Sequence, residues 1–155
     1  MKKTLKIIAV VLFAAFVAVQ FYRPSKINPP IVETETLEAT TQVPENVRAI
    51  LKRSCSDCHS NETIYPWYSN ISPFSWLLAD HIEEGRRELN YSVWNTYSAK
   101  KKRHKFEEIC EQITSGEMPH NQYLWLHADA QLSEEDKKIV CDWAETEKAK
   151  IADLN

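Results

Sequence analysis

The chain opens with an apolar run from Leu5 to Tyr22, broken only by Lys6 and Gln20. As a helix rising about 1.5 Å per residue, it would measure roughly 27 Å, close to the ~30 Å hydrocarbon core of a bilayer. Lys2, Lys3 and Lys6 at its start give the positive-then-apolar order of an export signal and hold the N-terminus in the cytoplasm. A cleavage site needs small residues at −3 and −1, and Phe16-Val17-Ala18 puts Phe at −3. Residues 1–22 therefore read as a signal anchor, a transmembrane helix. A cleaved signal peptide, leaving a soluble product in the same compartment, is the alternative.

After this run the pattern changes twice. Residues 23–44 carry Pro24, Pro29, Pro30 and Pro44 amid Thr and Glu, which predicts a semi-extended tether with too little apolar surface to fold. Beyond it, four segments repeat apolar residues at helical spacing. The first is Pro44 to Arg53, with Val47, Ile50 and Leu51 directly before Cys55. The second starts at Ser72 as N-cap with Pro73 behind it, and places Phe74, Leu77, Leu78, Ile82 and Leu89 on one face. A third, about His104 to Ser115, aligns Phe106, Ile109, Cys110 and Ile113 and stops at Gly116. The last opens on Ser133-Glu134-Glu135-Asp136, a variant capping box, and buries Ile139, Val140, Trp143 and Ile151. No segment keeps a period of two. The fold class is all-α, with residues 45–155 as the folded unit.

Composition narrows the function. The chain has 2 Gly, where ordinary usage would give about 11, so Gly-rich phosphate loops are excluded. It carries 19 basic and 22 acidic residues; 5 and 3 of these precede residue 45, which leaves 14 and 19 in the folded unit. That acidic balance gives no reason to propose nucleic acid as a partner. The charge is polarised, with a basic run at Lys100-Lys101-Lys102-Arg103-His104-Lys105. Such a run is a solvated loop and helix entry, or a surface that steers a redox partner.

Cys55-Ser56-Asp57-Cys58-His59 carries the chemistry. Two cysteines three apart can form thioethers with the two vinyl groups of one porphyrin, and the following His then supplies the proximal nitrogen to the iron. Met118, the only methionine besides the initiator, precedes Pro119 in a loop and is the candidate distal ligand. Its bland alternative is core filler. His120 is the rival ligand. His81 reads as a core histidine on the second helix, with distal ligand as the lesser alternative, His127 as a hydrogen-bonding group in the core or beside a haem propionate, and His104 as solvated. The five Trp are expected in the core or haem crevice, with the Tyr65–Tyr68 run walling one side of the haem. Cys110 and Cys141 remain as a possible disulfide between two helices, or as two buried thiols.

With these residues in place, the stretch from about Pro44 to Trp143 resembles the haem-binding domain family of short, exported c-type cytochromes, similar in architecture to class I cytochromes c. The motifs are Cys55-Ser56-Asp57-Cys58-His59, Tyr65-Pro66-Trp67-Tyr68-Ser69-Asn70-Ile71-Ser72-Pro73, Gly116-Glu117-Met118-Pro119, Leu126-His127, and Leu132-Ser133 running into the helix of Trp143. The resemblance implies a helical cytochrome c-like domain around one covalent haem c, with His59 proximal; Met118 aligns with the family's Met-Pro segment.

Three classes of function follow. The leading one is a membrane-anchored monohaem electron carrier on the periplasmic face of a bacterial cytoplasmic membrane, working with redox partner proteins and not as a catalyst. In the second, a haem sensor or peroxidase-like protein, Met118 dissociates. The third uses Cys55, Cys58 and His59 for a zinc site or a dithiol, but neither a second Cys-x-x-Cys nor a βαβ pattern accompanies them.

Overall fold

A computed structural model describes residues 1–152. It contains no strand among the described residues and is built from eight α-helices joined by short 3₁₀ turns. Helix α1 (Lys2–Val19) is apolar on all sides from Ile7 onward and buries none of its residues. The expected transmembrane span needs correction here. Lys2, Lys3 and Lys6 fall inside the helix, the chain leaves it at Gln20, and no described helix is long and apolar enough to cross a membrane.

The chain leaves α1 because Gln20 and Tyr22 are held by the domain. The Gln20 side chain donates to the Ser72 carbonyl at 3.0 Å and accepts from the Ser72 N–H at 2.9 Å. The Tyr22 carbonyl accepts from Trp76 Nε1 at 2.8 Å, and the two rings meet edge to face at 5.9 Å. Residues 23–44, expected as a semi-extended tether, lie along the domain, extended except for a 3₁₀ turn at Glu33–Glu35 and one short helix. Asn28 donates to the Thr63 carbonyl, Asn61 to the Pro30 carbonyl, Asn95 to the Thr34 carbonyl and Trp143 to the Gln42 carbonyl. Leu37, in the short helix α2 (Leu37–Thr40), enters the main core. A strap poor in apolar side chains is thus fixed by the Asn28 side chain and by its own backbone carbonyls, and composition does not reveal the latter.

Helix α3 (Glu45–Ser54) buries Val47, Ile50 and Leu51 as its spacing predicts, and leads through Cys55 into one turn, α4 (Ser56–His59). Helix α5 (Phe74–Glu88) starts one residue later than expected, with Pro73 flanking it and Ser72 turned to Gln20, Tyr22 and Ser75. Leu78, Ile82 and Leu89 are buried, whereas Phe74 and Leu77 are exposed. Helix α6 (Ala99–Ser115) starts five residues earlier than its apolar stripe suggests, because Ser98 Oγ accepts from the Lys101 N–H at 3.2 Å. The basic run is therefore the first turns of a helix.

A short helix, α7 (Asn121–Leu124), precedes α8 (Glu134–Ala152). The α8 N-terminus is capped as the sequence predicts. Ser133 Oγ accepts from the Asp136 N–H at 3.0 Å, and Asp136 Oδ2 accepts from the Ser133 N–H at 2.9 Å. Those hydrogen bonds hold the Asp136 pKa below the usual range, and Arg53 reaches the same carboxylate at 3.1 Å to tie α3 to α8. Helices α6 and α8 pack side by side and are joined by a Cys110–Cys141 disulfide with Cα atoms 5.1 Å apart. The main core lies between α3, α6, α8 and the Tyr91–Thr96 turn. At its centre Trp94 contacts Phe106 at 4.8 Å, and Phe106 meets Trp143 edge-on at 5.4 Å. Trp67 and Trp125 depart from the expectation of crevice packing: they are 71% and 77% exposed.

Candidate functional site

Cys55 ends α3 and flanks α4, so the attachment pentapeptide is a helical corner and not a free loop. The corner is held against α5 at an unusually close approach. A Cβ placed on Gly85 would stand 2.7 Å from the Cys58 carbonyl oxygen and 3.0 Å from Cys58 Cβ, so α4 and α5 touch backbone to backbone where only glycine fits. The loop after the motif is fastened by Arg86, which donates to the Ser60 carbonyl at 2.8 Å, to Asn28 Oδ1 at 2.8 Å and to Thr63 Oγ1 at 2.9 Å.

Contact with α5 also fixes the chemistry of His59. Its Nδ1 lies 3.0 Å from the Gly85 carbonyl and 3.0 Å from the Leu89 carbonyl. Carbonyl oxygens can only accept, so Nδ1 carries the proton and Nε2 keeps its lone pair. Burial lowers the His59 pKa, with the two carbonyls opposing it, and the ring is neutral at physiological pH. A neutral imidazole with one nitrogen tied to backbone and the other free is the arrangement of a metal-ligating histidine.

Two adjoining cavities of about 250 and 210 Å³ open beside it, sharing Ser54, Cys55, His59, Glu88, Met118 and Pro119 as walls. Each alone is smaller than the ~300–1,000 Å³ of ligand clefts, and together they reach that range. One face of α6 closes the first cavity with Lys105, Glu108, Ile109, Gln112 and Ile113, spaced at i, i+3, i+4, i+7 and i+8. The second is walled by Cys58 and by His81, Glu84, Gly85 and Glu88 of α5, with Asp57, His120 and Tyr123.

Met118 reaches both cavities because α6 ends at Gly116 with φ +81°, in the left-handed region, and the Met118 N–H returns to the Gln112 carbonyl at 3.1 Å. His59, Cys55 and Met118 therefore border one continuous space, and Cys58 borders half of it. His120 is exposed and stacks on His81 at 4.9 Å. His81 is thus a cavity-wall residue, which corrects its reading as a core histidine. His127 bonds Tyr68 Oη at 2.8 Å and stacks on Tyr123 at 4.1 Å. His104 is exposed, 3.2 Å from Glu108. The Tyr65–Tyr68 run does not wall the cleft: Tyr68 packs behind Cys58 with Leu78 and Ile82.

Several contributors escape sequence reasoning. Tyr91 bonds Cys55 and is buried, which raises its pKa well above the usual value. Tyr123 donates to Asp57 Oδ2 at 2.8 Å, and its pKa is raised by burial and by that carboxylate. Lys105 is only 8% exposed, yet lines the first cavity with Glu108 at 2.5 Å. Gly85 did leave a signal, since a glycine inside a helix costs about 1 kcal/mol against alanine and so marks a packing demand.

The donors present suit a porphyrin better than a bare ion. Burial pushes the Cys55 thiol up to about 12 and the Cys58 thiol to about 11, so both are protonated thiols at neutral pH. Among the described residues no group of three or more His, Cys, Asp or Glu converges to hold a metal ion. Ser54 Oγ is buried without a hydrogen-bond partner on a residue that walls both cavities. A largely apolar cleft with the uncommitted His59 nitrogen, one thioether and an unsatisfied hydroxyl, rimmed by His81, His120 and charged side chains, fits a flat, partly polar cofactor.

A family model described as a haem-binding domain matches residues 14–146, from within α1 through the strap to α8. No curated protein matches the chain, and no solved structure does.

Proposed function

The chain belongs to the haem-binding domain family, and from that premise we propose that it holds one haem through thioethers from Cys55 and Cys58, with His59 and Met118 as axial ligands, and serves as an electron carrier. The observation that carries this reading is the His59 ring, whose Nδ1–H is committed to the Gly85 and Leu89 carbonyls while the residue borders the same space as Met118. Bound there, haem supplies a one-electron iron couple whose potential follows its axial ligands and surroundings. The residues of the chain do the rest. The two carbonyls hold the imidazole in one tautomer and orientation, and Gly85 lets α4 come close enough for that contact. Leu89, Ile109 and Ile113 keep water from the cleft, and Lys105 sets an ion pair with Glu108 within its wall. A thioether ligand favours the ferrous state relative to a second histidine.

Export and lipid attachment belong to the same proposal. They are supported by Lys2, Lys3 and Lys6 in the first turns of an exposed helix that is apolar from Ile7 onward, and by the Cys110–Cys141 disulfide, which suits an oxidising compartment such as the periplasm. The exposed basic turns of α6 offer a surface that steers an acidic redox partner.

The test is a spectrum of the protein produced with a cytochrome c maturation system. Pyridine haemochrome should report one c-type haem per chain, and Cys55→Ser or Cys58→Ser should each remove one thioether. Met118→Ala should abolish the ferric Met–iron charge-transfer band. A band that survives that substitution moves the distal ligand elsewhere, with His120→Ala as the next variant. Ready carbon monoxide binding by the reduced wild type would favour a sensor with a dissociable ligand.

A further inference from the structure

The tie between α1 and the domain constrains more than the strap. Gln20 and Tyr22, at the exit of α1, bond directly to Ser72 and Trp76 at the start of α5. Wherever the end of α1 lies, the start of α5 lies within hydrogen-bond distance of it. That region exposes large apolar side chains which the domain does not cover: Phe21 is 87% exposed, Trp67 71%, Phe74 54% and Leu77 41%. Phe74 and Leu77 share one face of α5 three residues apart, and the Trp67–Asn70 turn packs against α5. Beside them Arg23 and Lys26 are exposed, and Lys26 bonds Asn70 at the end of that turn.

Aromatic rings with basic residues alongside are what the boundary between lipid tails and headgroups selects. An apolar helix with no buried face, continuous with such a patch, fits a bilayer better than a protein groove, which would leave much of the helix uncovered. We infer that the face formed by Phe21, Tyr22, Trp67, Phe74 and Leu77 is a second lipid contact that lies in the bilayer interface and fixes the domain's orientation there. This rests on the lipid attachment proposed above. The cleft is walled by His81 to Glu88, roughly one to four turns farther along α5, so the same contact sets the standing of the redox site relative to the membrane.

The experiment uses the full-length reduced holoprotein in nanodiscs of phosphatidylethanolamine and phosphatidylglycerol, with a gadolinium-chelating lipid and amide signals recorded by NMR. Amides of α1 and of residues 67–78 should lose severalfold more intensity than those of α8. If α1 is broadened while 67–78 and α8 are attenuated alike, attachment stands and the inference is overturned. If α1 itself is unaffected, the attachment reading fails and the inference falls with it. The double variant Phe74→Asp/Leu77→Asp alters exposed positions and should leave the fold intact while abolishing the contrast between 67–78 and α8. A contrast that persists in that variant also overturns the inference.

Discussion

Gly85→Ala puts two opposed effects in one substitution. On helix propensity alone, alanine within α5 should stabilise the protein by about 1 kcal/mol. The structure dictates the opposite sign. The new methyl would meet the Cys58 carbonyl oxygen at 2.7 Å and Cys58 Cβ at 3.0 Å, atoms of a neighbouring turn that cannot rotate aside. Forcing a methyl into a filled contact costs about 1–3 kcal/mol. Set against the propensity gain, the net change is a loss of about 1 kcal/mol, reaching about 2 if α4 cannot relax. The damage should centre on the site, since the Gly85 carbonyl is one of the two acceptors of the His59 Nδ1–H. The assay is urea denaturation of wild type and variant followed by far-ultraviolet circular dichroism, with the haem spectrum recorded on the same samples. A lower midpoint with an altered haem spectrum is expected. A variant that is more stable by about 1 kcal/mol, with an unchanged spectrum, would refute the close approach as a requirement of the site.

Other outcomes are as definite. Replacing Cys110 and Cys141 by Ser removes a bridge with a sequence separation of 31 and should cost about 3–4 kcal/mol by loop entropy, read as a lower urea midpoint with haem content unchanged. Gly116→Ala meets no neighbouring atom but must hold φ at +81°, so it should cost about 1–2 kcal/mol and weaken the Met118 band more than it weakens the fold. Because burial lowers the His59 pKa, the unfolded chain takes up that proton first as pH falls. Before haem is loaded, the stability that His59 contributes is complete above its unfolded value of about 6.5 and is lost as pH drops below it. Urea midpoints at about pH 7.5 and about 5.5, on either side of that value, check the sign, and a higher midpoint on the acid side refutes it.

Much of this molecule could be read before its structure. Val47, Ile50, Phe106, Ile113, Val140 and Trp143 occupy the core that their spacing predicts, because an amphipathic stripe records its own burial. The Cys55–His59 pentapeptide, which the proposal makes the attachment site, is legible because five consecutive residues carry its chemistry. The walls of the cleft are not, since Tyr91, Lys105 and Tyr123 are gathered from separate helices and turns by packing that no local pattern encodes. Lys105 is the clearest case: within a basic run it reads as solvated, yet it falls in register with Ile109 and Ile113 and is carried inward with them. The docking of the strap is not legible for a related reason. Its fixation uses main-chain carbonyls, and these are the same in every sequence.

The unequal states of the four cysteines bear on how the protein is assembled. On the export and attachment proposed above, four thiols could pair in several ways, and a Cys55–Cys58 disulfide would block both attachment points. Two features sort them. The bridge between α6 and α8 removes Cys110 and Cys141 from exchange. Cys55 and Cys58 have raised pKa values, chiefly from desolvation, and stay protonated thiols at neutral pH. If these two are the thioether donors proposed above, a high thiol pKa would favour their staying reduced until a porphyrin reaches the cleft.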